Sequence, residues 1–468
     1  MLLRASKKPV PKRGNPWAPA RWFGSLKRVV LHPVRLVPLA YLCMILIGTL
    51  LLMLPAARTV EAAEGFMPAL FTAVSAVCVT GLITVDTPTF WTPFGHAVIL
   101  GLIQAGGFGI MSLGTLLALM LKKKIGLHGQ LVAQSETHTL NLGDVRDVLF
   151  RVARIMLLFE GVTAVILTGR FWLVYQENPL TALWHGVFHA ISAFNNAGFA
   201  LYSDNLIGFA QDPWIIVPIC LALIAGGLGF PVLIELRRQG FRLRSWTVHT
   251  RLTVYGTIAL LILGTVLFAA VEWSRQETLG GFSPGGKLLA ALAGGVFPRT
   301  AGFNSIDYGA AAPETLFVTD ILMFIGGGSA GTAGGIKIAT FLILGYSIWN
   351  EVRGNEQVNI AHRSISASVQ RQALTVALLG VAVVISGTFL LLTFTEHTLE
   401  ETLFEATSAF GTVGLSAGIT AGLPVNAQVV LIVLMFLGRI GTVTVSTALA
   451  LSLRSRLFRL PEERPIIG

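Results

Sequence analysis

Charge is scarce in this chain: Asp, Glu, Lys and Arg together make up 12% of 468 residues, against 53% hydrophobic residues. An ordinary soluble domain carries about twice that charged share, so a water-facing globule is excluded and a bilayer is the predicted solvent. Cysteine is sparse as well. Cys43, Cys78 and Cys220 are scattered and odd in number, which points to neither a disulfide framework nor a metal site. The nine histidines form no HExxH and no Cys/His cluster, so a metal enzyme is unsupported. The glycine-rich runs lack the Lys-Ser/Thr pair of a phosphate-binding loop, so no nucleotide and no organic cofactor is expected on this chain. The first 36 residues are basic and lack an apolar core of signal-peptide type, so no cleavage is expected.

What is abundant is apolar length. Runs such as Val37 to Leu54, Thr253 to Val271 and Leu374 to Phe394 reach the roughly 20 residues that a spanning helix needs. The net charge of +10 is not spread as a nucleic-acid-binding face. Lys and Arg gather in alternate connections: Arg4 to Arg35, Lys122 to Arg154, Arg237 to Arg251 and Arg454 to Arg464. Positive loops stay on the cytoplasmic side, so both termini are expected there and nucleic acid is not an expected partner. The acidic connections around Glu61, Glu272 and Glu396 are expected on the opposite face.

The chain then repeats itself. A span near Pro38 to Leu54 precedes a short half-helix, Met67 to Val77, a glycine turn and a span near His96 to Leu121. The unit returns as Val148–Val174, Ala182–Phe194 and Trp214–Leu236. It returns again as His249–Trp273, Lys287–Phe297 and Leu316–Trp349, and finally as Gln372–Thr395, Leu399–Phe410 and Val425–Leu453. The expected organisation is a basic arm over 1–36, repeats over 37–122, 147–237, 249–350 and 372–455, and a tail over 456–468. The fold class is all-α integral membrane, with four pseudo-repeats of span, pore helix, filter turn and span around a central pore.

The turns are the candidate site. They read Val79-Thr80-Gly81, Asn196-Ala197-Gly198, Thr300-Ala301-Gly302 and Thr412-Val413-Gly414. Ser75, Ser192 and Ser408 each stand six residues before their glycine; the third copy departs, with Val296 there and Pro298-Arg299 after it. One such glycine is as easily a helix-packing device. Four at equivalent places favour a shared purpose. A potassium ion leaving water needs oxygens at similar spacing, which a ring of backbone carbonyls provides. Pointing those carbonyls inward calls for a residue that tolerates positive φ. The half-helices aim their partly negative C-terminal ends below the turns, which favours a cation. Asp86, Asp204 and Asp307 trail three of the four glycines, so an acidic ring at the mouth is incomplete.

Each second span also has a glycine-rich centre, and the third is extreme: Gly326-Gly327-Gly328-Ser329-Ala330-Gly331-Thr332-Ala333-Gly334-Gly335. So many glycines cannot hold a regular helix unaided, each costing about 1 kcal/mol relative to Ala. Arg439 stands mid-span, where a charge is costly and normally faces protein or water. It is expected to raise a barrier to cations below the turns, or to donate to the glycine run's free carbonyls; a structural pairing with a carboxylate such as Glu160 is the alternative. Lys337 is expected to reach the cytoplasmic surface, and His185 with His189 to sit at the interface.

The four turns and the Gly326 to Lys337 run resemble the Ktr/Trk superfamily of potassium transporters over about Pro38 to Leu453. With eight expected spans, the likeness is greatest to its KtrB-type pore subunits. The resemblance implies potassium uptake across the plasma membrane, with Gly326 to Gly335 as an intramembrane gating loop and Arg439 as the cation of the last helix. It also implies a homodimer and a cytosolic ring of nucleotide-binding subunits, of KtrA/TrkA type, as partner. Glycine at Gly81 goes with potassium in that family, where Ser goes with sodium. Asn195-Asn196 departs from the Thr or Val that precedes the glycine elsewhere. A sodium-coupled symporter or sodium-permeable relative is the alternative; a membrane enzyme using Glu160, Asp320 or a histidine is a second, and requires those residues to share one cavity.

Overall fold

The computed structural model describes residues 33–59, 65–125, 142–240, 242–355, 357–360 and 363–441. Most of the expected basic arm, and the end of the fourth repeat with the tail, lie outside the described residues.

The helices follow the fourfold plan. The first repeat has α1 (Pro33–Leu52), the half-helix α2 (Phe66–Val77) and α3 (Pro93–Ile125). The second has α4 (Leu142–Leu173), α5 (Pro179–Phe194), α6 (Pro213–Leu228) and α7 (Phe230–Gln239). The third has α8 (Val248–Glu272), α9 (Pro284–Val296), α10 (Pro313–Phe324) and α11 (Ile338–Val352). The fourth has α12 (Ala367–Phe394), α13 (Leu399–Gly411) and α14 (Val425–Phe436), which runs into a π-helical turn, Leu437–Gly441. A two-residue antiparallel ladder, β1 (Asn359–Ile360) with β2 (Arg363–Ser364), joins the third repeat to the fourth.

Local chemistry sets the half-helix starts. Asn178 accepts from Leu180 N at 3.0 Å ahead of Pro179, Ser283 accepts from Gly286 N at 3.1 Å ahead of Pro284, and Thr398 with Glu401 forms a reciprocal capping box. Proline just inside a helix start gives up an N–H that would be unsatisfied anyway. Apolar side chains then cover the outside: Val165 is 74% exposed, Ile385 61% and Phe389 67%, as lipid-facing residues must be. By length and composition, four described helices can cross a membrane, and the α6–α7 pair makes a fifth if it is one span.

That pair is a correction. The span expected from Trp214 to Leu236 is broken at Gly229, where φ is +90° and the two halves meet at 100°. A Cβ at Gly229 would stand 2.5 Å from Ser329 O, so the break makes room for the glycine run of the third repeat. That run itself divides α10 from α11.

Packing follows a cycle. Each half-helix lies on the first helix of its own repeat: α2 on α1, α5 on α4, α9 on α8 and α13 on α12. Each second helix also touches the half-helix of the next repeat: α3 meets α5, α6 meets α9, α10 meets α13, and α14 closes the ring on α2.

Candidate functional site

Three of the four turns arise from one hydrogen-bond pattern at the half-helix ends. Val79 N donates to Ala76 O and Thr80 N to Ser75 O; Asn196 N donates to Ala193 O and Ala197 N to Ser192 O; Thr412 N donates to Ala409 O and Val413 N to Ser408 O. The serine hydroxyls then hold the backbone at and just past the glycines. Ser75 Oγ accepts from Gly81 N at 3.0 Å and Ser408 Oγ from Gly414 N at 3.1 Å, while Ser192 Oγ donates to Phe199 O at 2.8 Å. The third repeat, with no serine there, has Ala301 N donating to Phe297 O at 3.0 Å.

Positive φ occurs twice per turn. The glycines have it, at +95° (Gly81), +69° (Gly198), +71° (Gly302) and +97° (Gly414). So do Val79 (+56°), Asn196 (+60°), Thr300 (+67°) and Thr412 (+48°). Sequence reasoning missed these first positions. For β-branched residues that conformation is an outlier that only the surrounding structure sustains. With a residue outside the positive-φ region between two inside it, the turn departs from an extended strand, whose carbonyls alternate sides.

The turns meet one another in order. A Cβ at Gly81 would lie 2.3 Å from Ala197 O, at Gly198 2.8 Å from Ala301 O, at Gly302 2.4 Å from Val413 O, and at Gly414 2.1 Å from Thr80 O. Glycine of one repeat therefore abuts the middle carbonyl of the next, and the fourth returns to the first. Thr80, Ala197, Ala301 and Val413 are all buried. Above them opens a cavity of about 260 Å³ bounded by the four glycines and by Asp86, Asp204 and Asp307. All three carboxylates are tied down locally, Asp86 by Thr89 Oγ1 at 2.7 Å and Asp204 by Gly208 N and Asp307 by Gly309 N, each at 2.9 Å, and Asp86 also accepts from Ser203 Oγ of the second repeat at 2.8 Å. The fourth repeat contributes Ser416 and Gly418 instead.

Below the turns lies the glycine run. It is closed at its neck by Gly326 N donating to Ile336 O at 2.8 Å and Ile338 N to Gly327 O at 3.0 Å. Gly328 N and Thr332 N donate to Gly227 O and Gly226 O, and Phe230 N donates to Ala330 O, so Gly327, Gly328, Ser329, Ala330 and Gly331 rest against the α6–α7 break, while Gly326 faces Gly334 across the neck. Thr332 reaches the second turn. With its amide nitrogen toward the hydroxyl, Asn196 donates to Thr332 Oγ1 at 2.8 Å, and Thr332 Oγ1 donates to Phe194 O at 3.2 Å. Gly334 touches the fourth: its Cβ would meet Thr412 Oγ1 at 1.9 Å. Ala333 and Gly335 complete the run, the latter at φ +61°.

Cationic side chains hold the run from outside. Arg439, 2% exposed, donates through Nη1 to Thr332 O. It does not pair with Glu160, which accepts from Gln104 Nε2 at 3.1 Å and Asn195 Nδ2 at 3.2 Å. Lys337 turns back rather than reaching the surface, donating to Ala333 O at 2.6 Å. A third cation, Arg299, donates to Gly326 O at 3.0 Å; in the sequence it stands out only as a departure from the repeat.

Other candidates separate. His185 Nδ1 lies 3.1 Å from Glu177 and 3.0 Å from Tyr202 Oη, and His189 is bonded to His185 O and Leu201 N, so neither ring nitrogen pair is arranged as ligands. Among the described residues no three His, Cys, Asp or Glu side chains form a metal-holding group.

With this geometry established, comparison with known proteins gives consistent likenesses. A family model described as TrkH, a cation transport protein, matches residues 37–458. The Ktr system potassium uptake protein B of Bacillus subtilis is 38% identical, over 95% of this chain and 98% of that protein. Its namesake from Vibrio alginolyticus is 34% identical, over 93% and 94%, and the potassium/sodium uptake protein NtpJ of Enterococcus hirae is 33% identical, over 94% and 98%. Among solved structures, the potassium transporter TrkH of Vibrio parahaemolyticus overlays with a TM-score of 0.67 at 18% identity, covering 86% of this chain and 83% of that one, which speaks to the fold. Four half-helices in cyclic order, a glycine run beneath them and a match over nearly the whole chain agree: the chain belongs to the TrkH/Ktr family of cation transport proteins.

Proposed function

We propose that this chain takes up potassium across the plasma membrane through the passage bounded by its four turns, with Val79 to Gly81, Asn196 to Gly198, Thr300 to Gly302 and Thr412 to Gly414 as the selectivity filter. The observation that supports this most is the closed cycle in which each filter glycine abuts the middle carbonyl of the next repeat. Peptide oxygens gathered that closely can replace a cation's hydration shell, and only glycine lets the turns approach so far. The Gly326 to Gly335 run acts as the gate: it lies against the second and fourth turns, and Arg439 fixes its centre.

Two of the relatives are potassium uptake proteins and a third is a potassium/sodium uptake protein, which keeps sodium as the competing ion. By the same likeness we infer a partner ring of cytosolic nucleotide-binding subunits, a homodimeric assembly, and cytoplasmic placement of the basic arm (1–36) and tail (456–468). The repeats are assigned to 37–122, 147–237, 249–350 and 372–455.

Reconstitution tests the ion assignment. Protein in liposomes is expected to take up rubidium, as a potassium surrogate, faster than sodium. Sodium uptake exceeding rubidium uptake overturns it in favour of the sodium reading.

A further inference from the structure

We propose that Arg299 is a positioning residue that fastens the start of the gating loop to the third filter turn, so that in this repeat the loop and the filter move together. The proposal rests on the gating function above and asks which filter turn moves with the gate.

Three repeats share a contact that the third lacks. The residue two places before the filter presents its carbonyl to a glycine of the second helix: Val77 O to Gly106, Phe194 O to Gly226 and Phe410 O to Gly438, where a Cβ would lie at 2.1, 1.9 and 1.8 Å. Gly326 lies 24 residues after Gly302, as Gly438 does after Gly414, and so holds the corresponding place in the third repeat; the offsets in the first and second repeats are 25 and 28. No half-helix carbonyl is among the three atoms nearest a Cβ built there. Its Cβ would instead meet Gly334 O, across the neck of the loop. Backbone seats backbone in three repeats, and in the third a side chain spans the gap.

That side chain is Arg299, at the place held by Cys78, Asn195 and Gly411 elsewhere. Its Nη2 donates to Gly326 O at 3.0 Å and its Nη1 to Thr257 O of α8 at 3.2 Å. It is 8% exposed, its Nε finds no partner among the described residues, and it takes part in none of the ion pairs formed there. A guanidinium buried without a carboxylate depends on its carbonyl partners, and removing one leaves charge uncompensated. Gly326 O lies just past the C-cap of α10, in non-helical backbone with no water in a bilayer core to satisfy it. Each group therefore holds the other. Arg299 directly precedes Thr300, whose φ of +67° is sustained only by its surroundings, so displacement of the guanidinium is transmitted to the filter backbone. Its second bond, to α8, gives the fastening a fixed post. Further along the loop, Arg439 and Lys337 hold Thr332 O and Ala333 O separately.

The test is a cycle in the full-length chain: Arg299→Met, Arg299→Lys and a loop shortened by removing residues 329–333, singly and combined. Rubidium flux and the rubidium/sodium ratio are measured in liposomes on monodisperse protein. Arg299→Met is expected to raise flux and lower the ratio severalfold, with Arg299→Lys, which cannot bridge both carbonyls, in between. In the shortened-loop background Arg299→Met is expected to leave flux unchanged. Equal factors from Arg299→Met with and without the loop, or no change in either readout, overturn the coupling. A merely structural role would lower yield without moving the ratio. If Arg299→Met does not fold, the Arg299→Lys cycle decides alone, and wild-type behaviour there overturns the proposal. Loop shortening alone separates the two readings: if it fails to raise flux, the gate itself is wrong; if it raises flux while the Arg299 variants act independently, only the fastening is wrong.

Discussion

The second helices of the first and third repeats occupy equivalent places and do opposite things with glycine. α3 runs unbroken for 33 residues through Gly106, Gly107 and Gly109, whereas the third repeat stops after Phe324 and restarts at Ile338. In α3 the paired glycines seat neighbours: Gly106 lies against Val77 O, and a Cβ at Gly107 would overlap Asn195 Oδ1 at 1.8 Å. Three glycines in a helix are tolerable when close packing returns what their propensity costs. In the third repeat the run is too long for that, and its freed backbone groups find partners instead on the α6–α7 break, Arg299, Arg439 and Lys337. Glycine content alone does not decide between helix and loop. What decides is whether the facing surface offers a seat for each glycine or donors for the groups a break releases.

The comparison breaks most severely at the seats. Gly226→Ala puts a methyl 1.9 Å from Phe194 O and 2.8 Å from Thr332 Oγ1, with neither backbone free to retreat. Overpacking of this kind costs about 1–3 kcal/mol, occasionally more. The expected outcome is loss of most monodisperse protein in size-exclusion chromatography and a lowered melting temperature in what remains. A variant with wild-type yield and melting temperature would show that the second helix stands off from its half-helix.

Next in size is the loop itself. Removing residues 329–333 deletes Thr332 and with it the bonds to Asn196, Phe194 O and Arg439. Rubidium flux in liposomes is expected to rise severalfold, and a decrease in well-folded protein would count against a gate. Gly81→Ser comes after it. Its φ of +95° and the 2.3 Å approach to Ala197 O leave no place for a side chain, and left-handed backbone costs a non-glycine residue about 1–2 kcal/mol. The turn must shift and the rubidium/sodium ratio fall; an unchanged ratio would remove the steric account of selectivity.

Much of this is legible in the chain. Apolar length marks the spans and the six-residue spacing from serine to glycine aligns three half-helices, because both are local features read within one segment. The glycine run is legible as irregular for the same reason. What escapes depends on contacts between repeats. Gly229 bends its helix by 100° to clear Ser329, some hundred residues away; the Ala225 to Gly229 stretch itself reads like the unbroken Ala105 to Gly109, and the local signal that separates them is Pro231 at the start of α7. Val79 and Thr412 have left-handed φ against their own preference, a tertiary override that propensity points away from. The position of Lys337 favours the surface, but the carbonyls of Ala333 and Gly334 are nearer. The cyclic order of the turns has no local signature at all.

A smaller effect tests the seat for Asn195. Glu160 accepts from both Gln104 and Asn195, so Glu160→Gln turns an amide donor toward one of two donors. A buried hydrogen bond lost with its donor stranded costs about 1–3 kcal/mol. The expected result is a lowered melting temperature with flux largely kept, since the carboxylate touches Asn195, the residue before the second turn, rather than the turn itself. A larger fall in flux than in stability would instead make Glu160 part of the ion path.

The mildest change sharpens the contrast within a single helix. Gly101 lies five residues before Gly106 in α3, is exposed, and has no atom within 4 Å of a Cβ built on it. It seats nothing, so only its propensity cost remains. Gly101→Ala is expected to stabilise the protein by up to about 1 kcal/mol, with the rubidium flux unchanged. A melting-temperature series of Gly101→Ala beside Gly106→Ala, both in detergent, checks this: the first should rise slightly and the second fall steeply. Destabilisation by Gly101→Ala would mean that this outward face is itself a packed surface in the assembled protein. Glycine would then be seating a neighbour there as well, and the distinction drawn between seated and unseated glycines would have to extend beyond one chain.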